Sequence, residues 1–470
     1  MAKLEDNLND IVVGIANYLS SYLSLRDDFG MRSFYGESFT LAFLTQMNML
    51  TDNVDVKLRR AFNKKNRNDS QYHWEFNNYG MQEAKTTHSN NLKFKNTSCT
   101  NWTLLRANVR LRAQQDVELA HSEIKNKLNR MQLSSGLILD DPGVRSFQYH
   151  CFSAAMLYEI YLNTKNDHYL TSFCKAVSFI RHFILPNGDT LYVGRGQHQS
   201  FGYASLVYIL CAYFSITEDN SVIGDIEKIV SLINSNVKDD GSLPLVMGGG
   251  HEPIPHPDNP HQNHEYPGWY AYNNYFDYLP FAGLFLKKAI DILKNAGEYT
   301  VEYSEQAAYG DKYFRKYVIG NTIAVLSKPG GYWTNDLPIP YIYKEGKILT
   351  PCYCGEQFGN SIYSISGIPL PQYKGLSLRW KSKSFFWRDT MVLISPLGIL
   401  FRKVKLTENL LEVDNKLFSL LPFHDRYLFL NKSTYINSQY SFEKMGCEYS
   451  PAGKLYVYES KKIGRLTLEL

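Results

Sequence analysis

Four short stretches of this 470-residue chain hold polar residues that a helical core has no use for. The first is Trp74-Glu75-Phe76-Asn77-Asn78-Tyr79, and the second is Ser146-Phe147-Gln148-Tyr149-His150. The third runs from Gly194-Arg195-Gly196 through Gln197, His198 and Gln199 to Tyr203. The fourth, 247–278, contains His251, Glu252, His256, His261, His264, Glu265, Trp269, Tyr270, Asn273, Asn274 and Asp277. Imidazole and phenol groups move protons, while amide and guanidinium groups hold an anion or an oxygen-rich ligand. The glycines on either side of Arg195 let backbone approach a ligand closely. Each residue also has a plain structural use. Asn77 and Asn78 can satisfy backbone groups at a helix start, His150 can be a hydrogen-bonded core histidine, and Arg195 can form an ion pair. Asp277 is expected to cap or anchor a helix. The loop histidines, spaced by five, five and three, match no zinc pattern, so no metal is expected.

The elements that must carry these stretches are helices over the first three hundred residues. Besides an opening helix, apolar periodicity predicts helices near 33–50, 54–64, 74–86, 101–113, 116–132, 146–163, 167–184, 199–216, 220–236 and 271–295. Pairs beginning near 101, 146 and 199 repeat at roughly fifty residues, the length of a helical hairpin with its loop. Stacked hairpins make an open solenoid or a closed (α/α) toroid, and periodicity does not choose between them. Three of the four polar stretches fall at helix starts or between helices, positions that a toroid gathers at one mouth. Beyond about residue 300 the pattern becomes strand-like, at Tyr317–Leu326, Tyr341–Lys344, Phe385–Ile394, Gly398–Leu406 and Leu455–Glu459. The expected class is therefore α+β, with a helical domain over 1–300 and an antiparallel sheet domain over 301–470.

Composition narrows the ligand. The chain has 35 Tyr, 26 Phe and 6 Trp, so 14% of it is aromatic, a surplus that suits a polar cleft for sugars. A net charge of +4 is too mild for a nucleic-acid binder but leaves room for an anionic substrate. The start lacks the basic and then apolar pattern of a signal peptide, and no run of eighteen apolar residues occurs, so no membrane span is expected. The expected location is cytoplasmic. Seven cysteines follow no disulfide or zinc spacing, and Cys151, Cys174 and Cys211 read as buried thiols. The third glycine of a dinucleotide fingerprint, the phosphate loop and the G-x-S-x-G elbow are all missing.

Asn101-Trp102-Thr103-Leu104-Leu105-Arg106, Phe147-Gln148-Tyr149-His150, Gly194-Arg195-Gly196 and Asn274-Tyr275-Phe276-Asp277-Tyr278 resemble the helical domain of heparinase II/III-like polysaccharide lyases. The order of helices and then sheets is similar as well. The resemblance implies an (α/α) toroid followed by a β-sandwich-like domain, cleaving uronic-acid polysaccharides by β-elimination. Elimination removes the weakly acidic C5 proton, so the neighbouring carboxylate must be neutralised or hydrogen-bonded. Asn78 and Arg195 are candidates for that task, His150 or Tyr203 for the base, and Tyr149 or Tyr270 for the acid. Asn77, Gln148, Gln197, His198, Gln199, His264, Trp269 and Asn274 are candidate substrate contacts. No step needs a cofactor, and the expected partner is an acidic polysaccharide or oligosaccharide. A glycoside hydrolase on the same scaffold would instead use two facing carboxylates from Glu75, Asp189, Glu252, Glu265 and Asp277. A glycan-binding or glycan-modifying factor of surface-polysaccharide assembly is the third reading.

Overall fold

The computed structural model describes residues 2–30, 33–68, 72–86, 92–194, 196–247, 274–328, 341–350, 363–364, 378, 381–429, 436–438, 443–450, 453–460 and 463–470. The helices are α1 (Ala2–Leu25), α2 (Gly36–Gln46), α3 (Asp52–Lys64), α4 (Trp74–Glu83), α5 (Thr100–Ala113), α6 (Val117–Met131), α7 (Phe147–Thr164), α8 (Asp167–Arg181), α9 (Ser200–Thr217), α10 (Asn220–Asn234) and α11 (Tyr275–Asn295). Each expected helix is present. Their packing settles what periodicity left open. Helices α2, α4, α5, α7, α9 and α11 each pack on the next, and α11 closes back on α2. Outside this ring α3 lies on α2, α6 on α5, α8 on α7, α10 on α9 and α1 on α11. The helical domain is an (α/α) toroid.

Side-chain pattern explains which helix goes where. A helix that is apolar all round must be enclosed, whereas one apolar stripe suits an outer position. In α9 every residue from Ser200 to Ala212 is buried, and in α7 every residue from Phe147 to Ile160. Outer α6 buries only Ala120, Ile124, Leu128 and Met131, at helical spacing. Among the described residues α9 is the one helix long and apolar enough to cross a membrane, yet it is walled in by α7, α10 and α11. Cys151 and Cys211 are buried as expected, whereas Cys174 is only partly so.

Towards the C-terminal ends of the inner helices the ring is filled by charge. Lys288 Nζ donates to Tyr79 Oη at 2.8 Å, Glu83 Oε1 at 2.9 Å and Glu159 Oε1 at 2.5 Å. Arg112 pairs with Glu83 at 2.7 Å, and Asn108 donates to Glu159 at 2.7 Å. Burial works to raise the Glu83 carboxyl, but Lys288 and Arg112 outweigh it and hold the group at about 2. These side chains from α4, α5, α7 and α11 fill that end of the ring.

The remaining chain forms antiparallel sheets. Strands β1 (Tyr309–Gly310), β2 (Phe314–Ile319), β3 (Thr322–Ser327), β4 (Tyr341–Lys344) and β5 (Lys347–Thr350) pair in chain order. A second sheet joins β7 (Lys383–Trp387), β8 (Thr390–Ser395), β9 (Gly398–Leu406), β10 (Leu410–Phe418), β12 (Ile436–Ser438) and β15 (Arg465–Glu469) in the order β12-β15-β10-β9-β8-β7. A third joins β6 (Tyr363–Ser364), β11 (His424–Phe429), β13 (Glu443–Ser450) and β14 (Gly453–Ser460) in the order β13-β14-β11-β6. Two expected single strands are hairpins. Tyr317–Leu326 turns at Gly320, and Phe385–Ile394 turns at Arg388, both with φ above zero. A two-residue turn leaves an apolar run visually unbroken, which is why the sequence pattern merges the halves. β3 is buried at all six positions because both its faces are covered. Ile323 and Val325 join the helical core, while Ala324 and Leu326 meet Val404, Leu411 and Leu466 of the second sheet.

Candidate active site

The starts of all six inner helices are tied together at one rim. Asp277 of α11 accepts from the backbone N–H of Phe34 and Tyr35 at 3.0 and 2.9 Å, just ahead of α2. Asn77 of α4 donates to the Phe34 carbonyl at 2.9 Å and accepts from Ser38 Oγ at 3.0 Å. His73 and Trp102, at the starts of α4 and α5, stack edge to face at 4.9 Å. The Thr100 N–H donates to the Asp140 carbonyl at 2.9 Å, the Phe147 N–H to Val193 at 2.9 Å, and the Ser200 N–H to Leu245 at 3.0 Å. Helix starts and their described incoming loops are therefore held against one another at one end of the ring, the kind of rigid scaffold on which loops carry function.

At this rim a buried network joins helix and sheet domains. Tyr203 Oη donates to Asp189 Oδ1 at 2.8 Å, and Tyr341 Oη, from β4, donates to Asp189 Oδ2 at 2.5 Å. His198 Nδ1 lies 3.4 Å from both Asp189 Oδ1 and Tyr203 Oη. Its Nε2 has no hydrogen-bond partner among the described residues. Burial first, and then the Asp189 carboxylate, holds the Tyr203 phenol well above the usual tyrosine range. His198 is pinned by its own backbone, whose N–H donates to Leu191 at 3.1 Å and whose carbonyl accepts from Met247 at 2.6 Å. It sits at φ +56°, a conformation uncommon for a residue with a side chain. The turn before it is glycine by necessity. A Cβ on Gly194, at φ +92°, would lie 2.0 Å from the Arg145 carbonyl oxygen.

Several buried polar atoms at the same rim have no hydrogen-bond partner among the described residues. They include Nδ1 of His73, Oδ1 of Asn101, Oε1 of Gln148 and Nε2 of Gln199. Gln148 Nε2 donates to Gln199 Oε1 at 2.6 Å, which leaves one free polar atom on each amide. Such atoms are costly in a folded protein and mark places where a ligand can complete the bonding.

The expected residues divide. Tyr203, His198, Gln148 and Gln199 come together at the rim, joined by Asp189. His150 does not join them. It is fully buried, its Nδ1 accepting from the Ile138 N–H at 3.0 Å and its Nε2 donating to the Ala176 carbonyl at 3.0 Å. Burial lowers its pKa to about 4, so it is a neutral core histidine rather than a base. Asn77 bridges α2 and α4 as a structural amide, Asn78 donates to the Lys93 carbonyl at 2.9 Å, and Gln197 donates to the Tyr192 carbonyl at 2.6 Å. Asn274 caps α11 through the Phe276 N–H, and Asp277 anchors the start of α2 as expected. Tyr149 is buried 6.2 Å from Phe201, ring to ring. Arg195, His264, Trp269 and Tyr270, with the other loop histidines, lie outside the described residues.

Two participants escape a reading of the sequence in these roles. Asp189 stands nine positions before His198, and its turn, Asn187-Gly188-Asp189, is the available signal. Tyr341 is 152 residues from Asp189 and carries no local signal at all.

No family model matches the chain, and no curated protein matches it. The Streptomyces coelicolor A3 chondroitin AC lyase, solved in complex with chondroitin sulphate, is similar with a TM-score of 0.56 at 6% identity, covering 98% of this chain and 79% of that one. A mutant of the heparan sulfate lyase HepC from Pedobacter heparinus gives 0.45 at 12% identity, covering 96% and 71%. The glycosyl hydrolase family 88 protein from Bacteroides vulgatus gives 0.42 at 14% identity, covering 61% and 99%. Lyases and hydrolases thus both occur among the structural neighbours. At such identity the first match establishes the fold, an (α/α) toroid followed by antiparallel sheets.

Proposed function

We propose that the chain is a polysaccharide lyase that cleaves an acidic, uronic-acid-containing glycan by β-elimination at the rim of the toroid. The observation that carries this reading is the Asp189–His198–Tyr203 group. A carboxylate beside Nδ1 holds an imidazole in the tautomer whose Nε2 is basic. That nitrogen is the one left without a partner among the described residues, so His198 replaces His150 as the base for the C5 proton. Tyr203, whose hydroxyl lies between Asp189 Oδ1 at 2.8 Å and His198 Nδ1 at 3.4 Å, is the group assigned to protonate the leaving oxygen. Gln199, with a free Nε2, suits the substrate carboxylate, whose negative charge must be met as the enolate-like state develops.

A hydrolase is less well supported. It needs two opposed carboxylates. Of the five candidate carboxylates, Glu75 is occupied by the backbone N–H groups of Lys95 and Asn96, Asp189 by two tyrosines and Asp277 by the start of α2, while Glu252 and Glu265 lie outside the described residues. Incubation with a panel of uronic-acid polymers, followed by ultraviolet absorbance, detects the double bond conjugated to the product carboxylate. The expected result is absorbance that grows with time and falls roughly 100-fold or more in His198→Ala, the usual size of a general-base contribution. Reducing ends without absorbance would replace the lyase with a hydrolase. Binding with neither signal would favour the non-degradative glycan factor.

A further inference from the structure

Antiparallel sheets with one solvated face normally alternate apolar inward and polar outward. The second sheet breaks that rule over β7 to β10. Its inner face is ordinary, burying Met391, Leu393, Leu400 and Val413. On its outer face Trp387 is 62%, Phe418 64% and Phe385 44% exposed. Register places these rings on one lattice. Phe385 stands opposite Val392, Val392 opposite Phe401, and Phe401 opposite Lys416. Along the next row Trp387 faces Thr390, and Thr390 faces Lys403. Phe418 meets Phe401 edge to face at 6.0 Å. Four strands at the ordinary spacing make this surface ~14 Å wide. Lys403 and Lys416 are exposed and form no ion pair with a described residue, whereas neighbouring Lys405 and Asp414 have Glu412 and Arg465.

We propose that this face is a second glycan-binding surface, separate from the rim, that holds a stretch of acidic polysaccharide. Flat exposed rings offer stacking area for the C–H faces of sugars, and the exposed Lys416 and Lys403, the latter across from Asp414 but in no ion pair with a described residue, complement carboxylate or sulfate groups. An apolar protein partner would gain nothing from cations placed among the rings, while a sugar chain bearing anions uses both. The inference rests on the reading of the substrate as an acidic glycan, but it concerns binding and not elimination.

Affinity electrophoresis through gels containing chondroitin sulphate, heparan sulphate or alginate tests it, with amylose as the neutral control. The parent protein is His198→Ala, so that cleavage does not erode the polymer. Trp387→Ala with Phe418→Ala, and separately Lys403→Gln with Lys416→Gln, are added to that parent. The expected result is retardation of the parent by at least one acidic polymer but not amylose, weakened about tenfold or more by each pair. Added salt should weaken the parent more than the lysine variant. Near-ultraviolet circular dichroism checks folding, and if the double alanine variant unfolds, Trp387→Gln alone replaces it. Unchanged retardation in folded variants would overturn the inference, as would absence of retardation by all three polymers. A parent that is dimeric and becomes monomeric on Trp387→Ala, or that sediments with phosphatidylserine vesicles through this face, would also overturn it. Failure of the lyase reading is seen separately, in the absorbance assay on the unmodified protein.

Discussion

Replacing Tyr341 by phenylalanine removes one hydroxyl from the contact between the sheet domain and the toroid rim. The ring itself is kept, with its stack on Tyr192 at 4.1 Å and an interplanar angle of 6°. What is lost is a 2.5 Å hydrogen bond to the Asp189 carboxylate, between residues 1% and 3% exposed. A hydrogen bond to a charged group contributes about 1.5–3 kcal/mol, and burial here leaves no solvent to take its place. Tyr341→Phe should therefore destabilise by about 2 kcal/mol. Asp189→Asn removes the charge to which Tyr203 and Tyr341 both donate, so the two changes should not be additive. In a urea double-mutant cycle the coupling is expected at about 1–2 kcal/mol, with far- and near-ultraviolet dichroism transitions coinciding. In the elimination assay Tyr341→Phe should lower kcat more than it changes KM, because it loosens the group that orients His198. A loss below about 0.5 kcal/mol, or additivity within that margin, would refute the claim that β4 organises the site.

Four further outcomes follow from His150, Asp277 and Lys288. His150→Ala strands the Ile138 N–H and the Ala176 carbonyl in a dry core and should cost about 3–5 kcal/mol in urea unfolding. Because burial lowers the folded-state pKa of His150 to about 4, the unfolded chain protonates first as pH drops below about 6.5. Wild type should therefore lose stability between pH 6.5 and 4, and a variant lacking the imidazole should lose less over that window. Asp277 has the opposite sign, since burial lifts its carboxyl to about 7 against Lys65 and two backbone N–H donors. Its stabilising contribution is present at low pH and lost as pH rises through 7, so the Tm gap between wild type and Asp277→Asn should be wider at pH 5 than at pH 8. Lys288→Met leaves Glu159 without its cation and Glu83 with Arg112 alone, and should destabilise by about 3–5 kcal/mol. A thermal shift too small for that cost would show that the ion cluster does not seal the ring.

Much of the fold is legible along the chain because each helix carries its own address. All-round apolar stretches such as Ser200–Ala212 must lie inside, and striped ones such as α6 must lie outside. The strand region is legible for the same reason, apart from the two tight hairpins that apolar runs conceal. The polar stretches at helix starts also point to the rim, since inner helices of a toroid begin at a common end. Roles within the rim are a different matter. Gln148 and His150 are two positions apart on α7, which turns the second side chain through about 200°. Gln148 consequently meets Gln199 at the start of α9, while His150 faces the Ala176 carbonyl on α8.

Composition and spacing by themselves determined the α+β class, the helical hairpins and the placing of polar stretches at helix starts, because all three depend on local periodicity and on which residues water will tolerate. Closure of the ring through α11 and α2, the burial of His150 against α8 while His198 lies beside Asp189, and the joining of Asp189 to Tyr341 across 152 residues were decided only by the tertiary structure. Those outcomes depend on which faces meet after packing, and a hydrogen bond between distant residues leaves no period in the sequence to be read.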